Sequence, residues 1–340
     1  MAWRTGIELG GAVVLALASA AACGASGVSP APAAGGEATL VPHPDFPARP
    51  AHRASRDFTA TWGDGKAELS GYRAIVPRYG HLREAELVLI YVTEPMNRRT
   101  WIKDDDARGA DRVEALKLNV SLKFLTGIYP YSVMTSVFTP VDDWSGERFS
   151  PVKITLSAQE WCGHVFAGAW PGRDRFESQV VSYFASEGEA HETVTVPEGT
   201  LYEDALLIQL RELDGPFAGG HDWRGSIVPT LWGVRRAHEP MRAVSATITR
   251  SDADDGETPV TRFVLEREGL RRTYDVERAA PHRVLSWQSS DGEDVHILET
   301  ARLPYWQLND PGNETYRAAL GLPTPAATEP PHAPAVTPGR

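Results

Sequence analysis

Every second residue from position 116 to 124 is apolar: Leu116, Leu118, Val120, Leu122 and Phe124 alternate with Lys117, Asn119, Ser121 and Lys123. Successive side chains of a β-strand point to opposite faces, so this spacing describes a strand with one face on a core and the other in water. The same period, or short β-branched runs bounded by turn residues, predicts strands at 58–62, 67–76, 85–93, 131–138, 152–161 continuing to 169, and 176–184. The run Leu87-Val88-Leu89-Ile90-Tyr91-Val92 is apolar on both faces, which places it inside a sheet. Further along, strands at 243–249, 260–267, 270–277, 283–288 and 294–302 are separated by Asp255-Gly256, Glu268-Gly269 and Asp291-Gly292, pairs suited to tight hairpins.

Two segments read as helices. Residues 201–213 carry Thr200 and Glu203 as a capping box, place Tyr202, Leu206, Leu210 and Leu213 on one face, and stop at Gly215-Pro216. Asn313 can cap a short helix over 314–320, closed by Gly321 and Pro323. The expected fold is therefore mainly β: a curved antiparallel sheet, a half-barrel with a meander in its C-terminal half, one long helix packed on it and a short C-terminal helix. Residues 51–322 form a single β-rich domain in this reading, or two fused halves near 51–215 and 216–322.

The N-terminus reads as an export signal. After Arg4, residues 10–22 form an apolar run ending in Ala20-Ala21-Ala22-Cys23, with the small side chains that signal peptidases require. The run is too short to span a bilayer as a permanent helix. Residues 1–22 are expected to be cleaved, leaving Cys23 as a lipidated N-terminus; cleavage by the ordinary signal peptidase is the alternative. Residues 23–50, rich in Ala, Gly, Ser and Pro, read as a flexible tether, and 323–340 as a disordered tail of similar character. The expected location is the cell envelope, lipid-anchored, with the outer membrane facing the periplasm favoured because Gly24 rather than Asp follows the cysteine.

A formal charge of -11 and a pI near 5.4 argue against nucleic acid as a partner, which needs a basic footprint. No cofactor or metal is expected, and no GxSxG elbow, HExxH, Walker A loop or GxGxxG before a helix is present, so the well-marked enzyme classes have no positive support. Asp104-Asp105-Asp106 with Asp111, and the acidic stretch 252–257, lack the EF-hand spacing and read as solvated turns.

Two constellations carry possible chemistry. On a strand, Glu160, Cys162 and His164 would share one face, giving a thiol, an imidazole and an orienting carboxylate suited to acyl or thiol chemistry. The same three are metal ligands without a second cluster to complete the shell, and they are equally polar groups satisfied within a packed strand. The second constellation lies in 126–136, where Tyr129, Tyr131 and Met134, with Trp161, would line the rim of a pocket for a mostly apolar ligand with one polar end. A packed turn between strands explains these residues too. Ten Trp are many for this length, as aromatic β-cores or a ligand cavity would require.

The stretches KLNVSLKFLTGIYPYSVMTSVFTP (117–140), SAQEWCGHVF (157–166) and SYFASEGE (182–189) resemble a family of bacterial exported proteins and lipoproteins, some of which carry the label septum formation inhibitor Maf. The S-x-S-P-R-R phosphate-binding word of Maf nucleotide pyrophosphatases is absent from this chain, so the resemblance implies a location and a β-rich fold rather than a reaction. The layout is also similar to periplasmic half-barrels of the lipoprotein-carrier type, in which a helix plugs a curved sheet around an acyl-binding cavity. Two functions from different classes follow as expectations. One is a non-catalytic envelope module binding a lipid-like or other apolar ligand, or an envelope partner; the other is an envelope hydrolase or thiol-dependent enzyme centred on Cys162, His164 and Glu160. A scaffold without a ligand is a third.

Overall fold

The computed structural model describes residues 50–144 and 148–324. The expected signal peptide, Cys23, nearly all of the tether and the tail beyond 324 lie outside the described residues. Among the described residues the chain forms sixteen strands. The first nine are β1 (Ala67–Arg78), β2 (His81–Asn97), β3 (Ile102–Lys103), β4 (Arg112–Thr126), β5 (Tyr129–Pro140), β6 (Lys153–Glu160), β7 (Gly163–Pro171), β8 (Arg175–Ser182) and β9 (Glu189–Thr195). The rest are β10 (Leu201–Tyr202), β11 (Trp223–Val228), β12 (Val244–Asp255), β13 (Thr258–Arg267), β14 (Leu270–Glu277), β15 (Val284–Ser289) and β16 (Asp294–Leu303).

All belong to one sheet whose path runs β10-β11-β12-β13-β14-β15-β16-β1-β2-β4-β5-β6-β7-β8-β9, with β3 attached to β2. Only β10 and β11 are parallel, so the sheet is mixed, and it does not close into a barrel. The five strands β12 to β16 form the expected meander, turning at Gly256 and Gly269, whose positive φ a glycine adopts freely. β1 pairs with β2 on one side and β16 on the other, joining the meander to the hairpins of the first half. Alternation sets the core: Leu116, Leu118, Leu122 and Phe124 of β4 are buried with Tyr131, Val133 and Val137 of β5, and the cluster continues through Phe263, Tyr274 and Trp287.

Three expectations are corrected. Residues 58–62 lie in a helix, α1 (Arg56–Trp62), because Ser55 Oγ accepts the Phe58 N–H at 3.0 Å and Phe58 and Trp62, four apart, share the buried face. Phe58, Ala60 and Trp62 fit a period of two as well, which is why the pattern alone misleads. The long helix over 201–213 is absent. That segment enters as β10, passes through a 3-10 turn at Glu203–Ala205 and forms only the single turn α2 (Leu206–Gln209). Leu201, Tyr202, Ala205, Leu206, Ile208 and Leu210 are all buried, so apolar side chains face in every direction rather than along one stripe. The segment is a plug within the main core cluster rather than a helix laid on its surface.

The short C-terminal helix is present, as a 3-10 helix over Asn313–Leu320 that follows Gly312 rather than being capped by Asn313, and Gly321 ends it in the left-handed region at φ 67°. Leu320 and Leu322 pack with Ala67, Leu69 and Val92 in a small separate cluster. Finally, residues 152–169 are not one strand but the hairpin β6–β7. A further helix, α3 (Leu231–Ala237), follows β11, its end capped by Thr230 Oγ1 accepting from Gly233 N at 3.0 Å.

The buried ions fix the plug. Arg211 is fully buried and donates to Glu68 of β1 at 2.7 Å, to His282 O at 2.9 Å and to Pro281 O at 2.8 Å. Glu203, equally buried, accepts from Arg272 at 2.6 Å and Arg267 at 2.9 Å. Buried charges survive only when paired and hydrogen-bonded, and these pairs tie the plug to β1 on one side and to β13 and β14 on the other.

Candidate functional site

Strand direction alternates along the sheet, so the hairpin turns β1–β2, β4–β5, β6–β7 and β8–β9 all lie at one end. Each tip carries large apolar side chains in solvent: Tyr79 and Leu82, Leu125 and Ile128, Trp161, and Tyr183, with Ile128 83% and Trp161 68% exposed. Below them is a packed aromatic base. Tyr131 stacks on Phe124 with centroids 4.8 Å apart and meets Trp232 of α3 at 6.4 Å, and Tyr129 bridges Tyr131 and Trp161, 6.1 Å from each. The Tyr79 and Tyr131 hydroxyls lie 2.7 Å apart.

Arg78 closes this base. Its guanidinium donates to the Tyr79 and Tyr131 hydroxyls at 3.1 and 3.2 Å and lies 4.2 Å from the Tyr79 ring centroid. No carboxylate pairs with it among the described residues; the ring faces and phenol oxygens take that place. The tips therefore stand on a rigid support rather than on loops without packing.

α3 crosses the same end. Arg236 donates to Pro77 O at 3.1 Å and to Asp291 at 2.6 Å, and Arg235 donates to Glu187 at 2.8 Å. The helix thus ties the β1–β2, β15–β16 and β8–β9 connections together, and beneath it lies a cavity of about 70 Å³ between the plug and the two sides of the sheet.

The thiol constellation takes a different form from the one expected. Glu160 pairs with Gly163 and Gln159 with His164, so Trp161 and Cys162 are the two residues of a tight turn. By strand alternation Glu160 shares the face of buried Ala158, whereas His164 shares that of Ser157 and Phe166. The three side chains are therefore not on one face of one strand, and no hydrogen bond joins His164 to Cys162 among the described residues. Cys162 is exposed, its N–H donating to Glu160 Oε2 at 2.8 Å. The Glu160 carboxylate, hydrogen-bonded to the thiol, holds it above the usual thiol range, the reverse of nucleophile activation.

No family model, curated protein or solved structure matches this chain. Of the four residues expected at a pocket rim, Tyr129, Tyr131 and Trp161 come together at the hairpin end. Met134 does not: Tyr131, Val133 and Thr135 take the core face of β5, which turns Met134 outward. Sequence reasoning missed Arg78, Tyr79, Phe124, Tyr183 and Trp232. The Tyr79-Gly80 turn was a usable signal for the first two; Trp232 lies on a seven-residue helix that leaves too little periodicity to read. No group of three or more metal-ligating side chains occurs among the described residues, and no helix there is long and apolar enough to cross a membrane.

Proposed function

We propose that this chain is a non-catalytic module of the bacterial envelope that binds a lipid-like, apolar partner surface through its hairpin end. The observation that carries this reading is the set of large apolar side chains on four neighbouring tips, standing on the Arg78-Tyr79-Tyr131 base. Contiguous exposed apolar surface marks an interaction site. Trp and Tyr beside aliphatic side chains suit the boundary between water and acyl chains, where an amphipathic ring keeps one end wet. Separate tips enter a soft surface more readily than a preformed protein pocket.

In this proposal Cys23 carries the lipid that holds the domain at the membrane. The family resemblance and the half-barrel analogy point the same way. The sheet is read as a half-barrel wrapped around the 201–213 plug, with the apolar contact moved from an interior acyl chamber to the rim.

Flotation with zwitterionic phospholipid vesicles tests this, using the Cys23→Ser chain so that the anchor does not contribute. The chain is expected to float, and the Ile128→Ser/Trp161→Ser double variant to lose most of that binding while keeping its near-ultraviolet dichroism. Equal flotation of the two proteins, or none of either, contradicts the proposal.

A further inference from the structure

The cavity beneath α3 shares Trp232 with the aromatic base of the hairpin end, but its chemistry is of another kind. Trp232 of α3, Trp287 of β15 and Tyr274 of β14 supply aromatic walls, with Leu87 and Leu122 closing the far side. Five charged side chains also line it: Glu203 and Asp204 from the plug, Arg236 from α3, Arg272 from β14, and Glu293.

Their pairing leaves one charge over. Arg272 donates to both Glu203 and Glu293, Arg267 donates to the second oxygen of Glu203, and Arg236 is held by Asp291. Among the described residues Asp204 has no such partner, and its one hydrogen bond there is from the Leu231 backbone N–H, 2.9 Å to Oδ2, at the start of α3. Whether the count stops at the lining or includes Arg267 and Asp291, the carboxylates outnumber the guanidiniums by one. An ionised Asp204 therefore leaves a single uncompensated negative charge in an aromatic cavity, an expensive arrangement unless a cation joins it.

We propose that this cavity binds a small organic monocation, an alkylammonium group, with Asp204 as its counter-ion and the Trp232, Trp287 and Tyr274 rings as its walls. An ammonium head supplies the hydrogen-bond donors that a carboxylate accepts, and ring faces attract the same charge. Hard divalent metals want six or more oxygen ligands, and the cavity offers one unpaired carboxylate. At about 70 Å³ the space suits a head group with a short alkyl arm, well below the roughly 300 Å³ of an ordinary drug-sized site. The site does not depend on the hairpin-end reading: either can fail alone.

Protonation is coupled to binding. Burial, and then the neighbouring Glu203, push the Asp204 carboxyl up to about 7, against the pull of the Leu231 N–H and Arg272. The cation needs the ionised form, so it binds more tightly above pH 7 and releases a proton on entry. Between pH 8 and pH 6 the ionised fraction falls about tenfold, and the affinity with it.

Calorimetric titration of the full chain with n-propylammonium and with n-propanol, each at pH 8 and pH 6, tests this. The ammonium is expected to bind at pH 8 and about tenfold more weakly at pH 6, while propanol binds weakly at both. Asp204→Asn keeps an oxygen for the Leu231 N–H and should reduce the ammonium to the level of propanol at both pH values. Trp232→Leu, at the half-buried wall, should weaken the ammonium more than the alcohol and serves as the second variant should Asp204→Asn fail to fold. Equal binding of the two probes, ammonium binding that does not change with pH, ammonium binding that survives Asp204→Asn, or no ammonium binding at pH 8 overturns the proposal.

Discussion

Arg211 is a fully buried charge that ties the plug to β1. Its guanidinium is shared between Glu68 and two backbone carbonyls, and it lies 4.5 Å from the Tyr91 ring centroid and 5.2 Å from that of Trp62. Removing one member of a buried pair leaves the other charge stranded, so Arg211→Met is expected to cost about 3–5 kcal/mol in urea unfolding. The double variant Arg211→Met/Glu68→Leu should recover part of that loss. Asp204 acts in the other direction. Its folded pKa of about 7 lies above its ordinary carboxyl value, so the stability it contributes is full below about pH 4 and is lost as pH rises through 7. Asp204→Asn is therefore expected to raise stability at pH 8, by at most a few kcal/mol, and to flatten the pH dependence between 4 and 8. Unchanged pH profiles would remove the carboxyl from that role. Cys162, exposed and held above its ordinary range by Glu160, should alkylate in the native protein with a midpoint above the ordinary thiol value. A midpoint below that value would revive the thiol-enzyme reading.

At the scale of elements, the C-terminal 3-10 segment seats on β1 through one glycine. A Cβ at Gly71 would lie 2.1 Å from Leu320 O, and β1 shifts register between Gly71 and Tyr72. Gly71→Ala should lift the segment off the sheet, raise hydrogen exchange at Leu320 and Leu322, and lower stability by about 1–3 kcal/mol. Unaltered protection at those two amides would contradict this seating. The elements that were legible in the sequence share a property: their apolar positions face one core. β4, β5 and the β12–β16 meander show period two and tight-turn glycines; β5 and β13 to β16 lie within two residues of their predicted bounds, whereas β12 runs on to Asp255 and β4 starts at Arg112. The helix readings failed where a segment was either short or buried on all sides. α1 and α3 have seven residues each, too few to separate one period from another, and 201–213 loses its helical meaning because the core surrounds it. At the site, Tyr129, Tyr131 and Trp161 were readable as aromatic neighbours of turns, whereas Arg78 and Trp232 meet them only through cross-strand pairing and the path of α3. Glu160, Cys162 and His164 showed the right residue types, but a two-residue turn at Trp161-Cys162 broke the shared face that their spacing implied.

Over the whole molecule, the β1–β16 pairing makes one sheet of what could have been two separate halves, and one core cluster runs from Phe58 to Val295. Unfolding of the described domain is therefore expected to be a single transition by both tryptophan fluorescence and far-ultraviolet dichroism. The sheet also has two unlike ends. Ile128 and Trp161 stand exposed at the hairpin end, whereas Ile102, also exposed, sits beyond Met96 and Asn97 at the opposite end. This difference sets up the most direct test of membrane-surface binding. Nitroxide labels placed singly at Ile128→Cys, Trp161→Cys and Ile102→Cys, in a Cys23→Ser/Cys162→Ser background, report immersion by power-saturation spectroscopy with phospholipid vesicles. The labels at 128 and 161 should gain accessibility to oxygen and lose it to a water-soluble nickel reagent, with the label at 102 unchanged. Three labels that all remain in water, or immersion at 102 instead, would contradict the account.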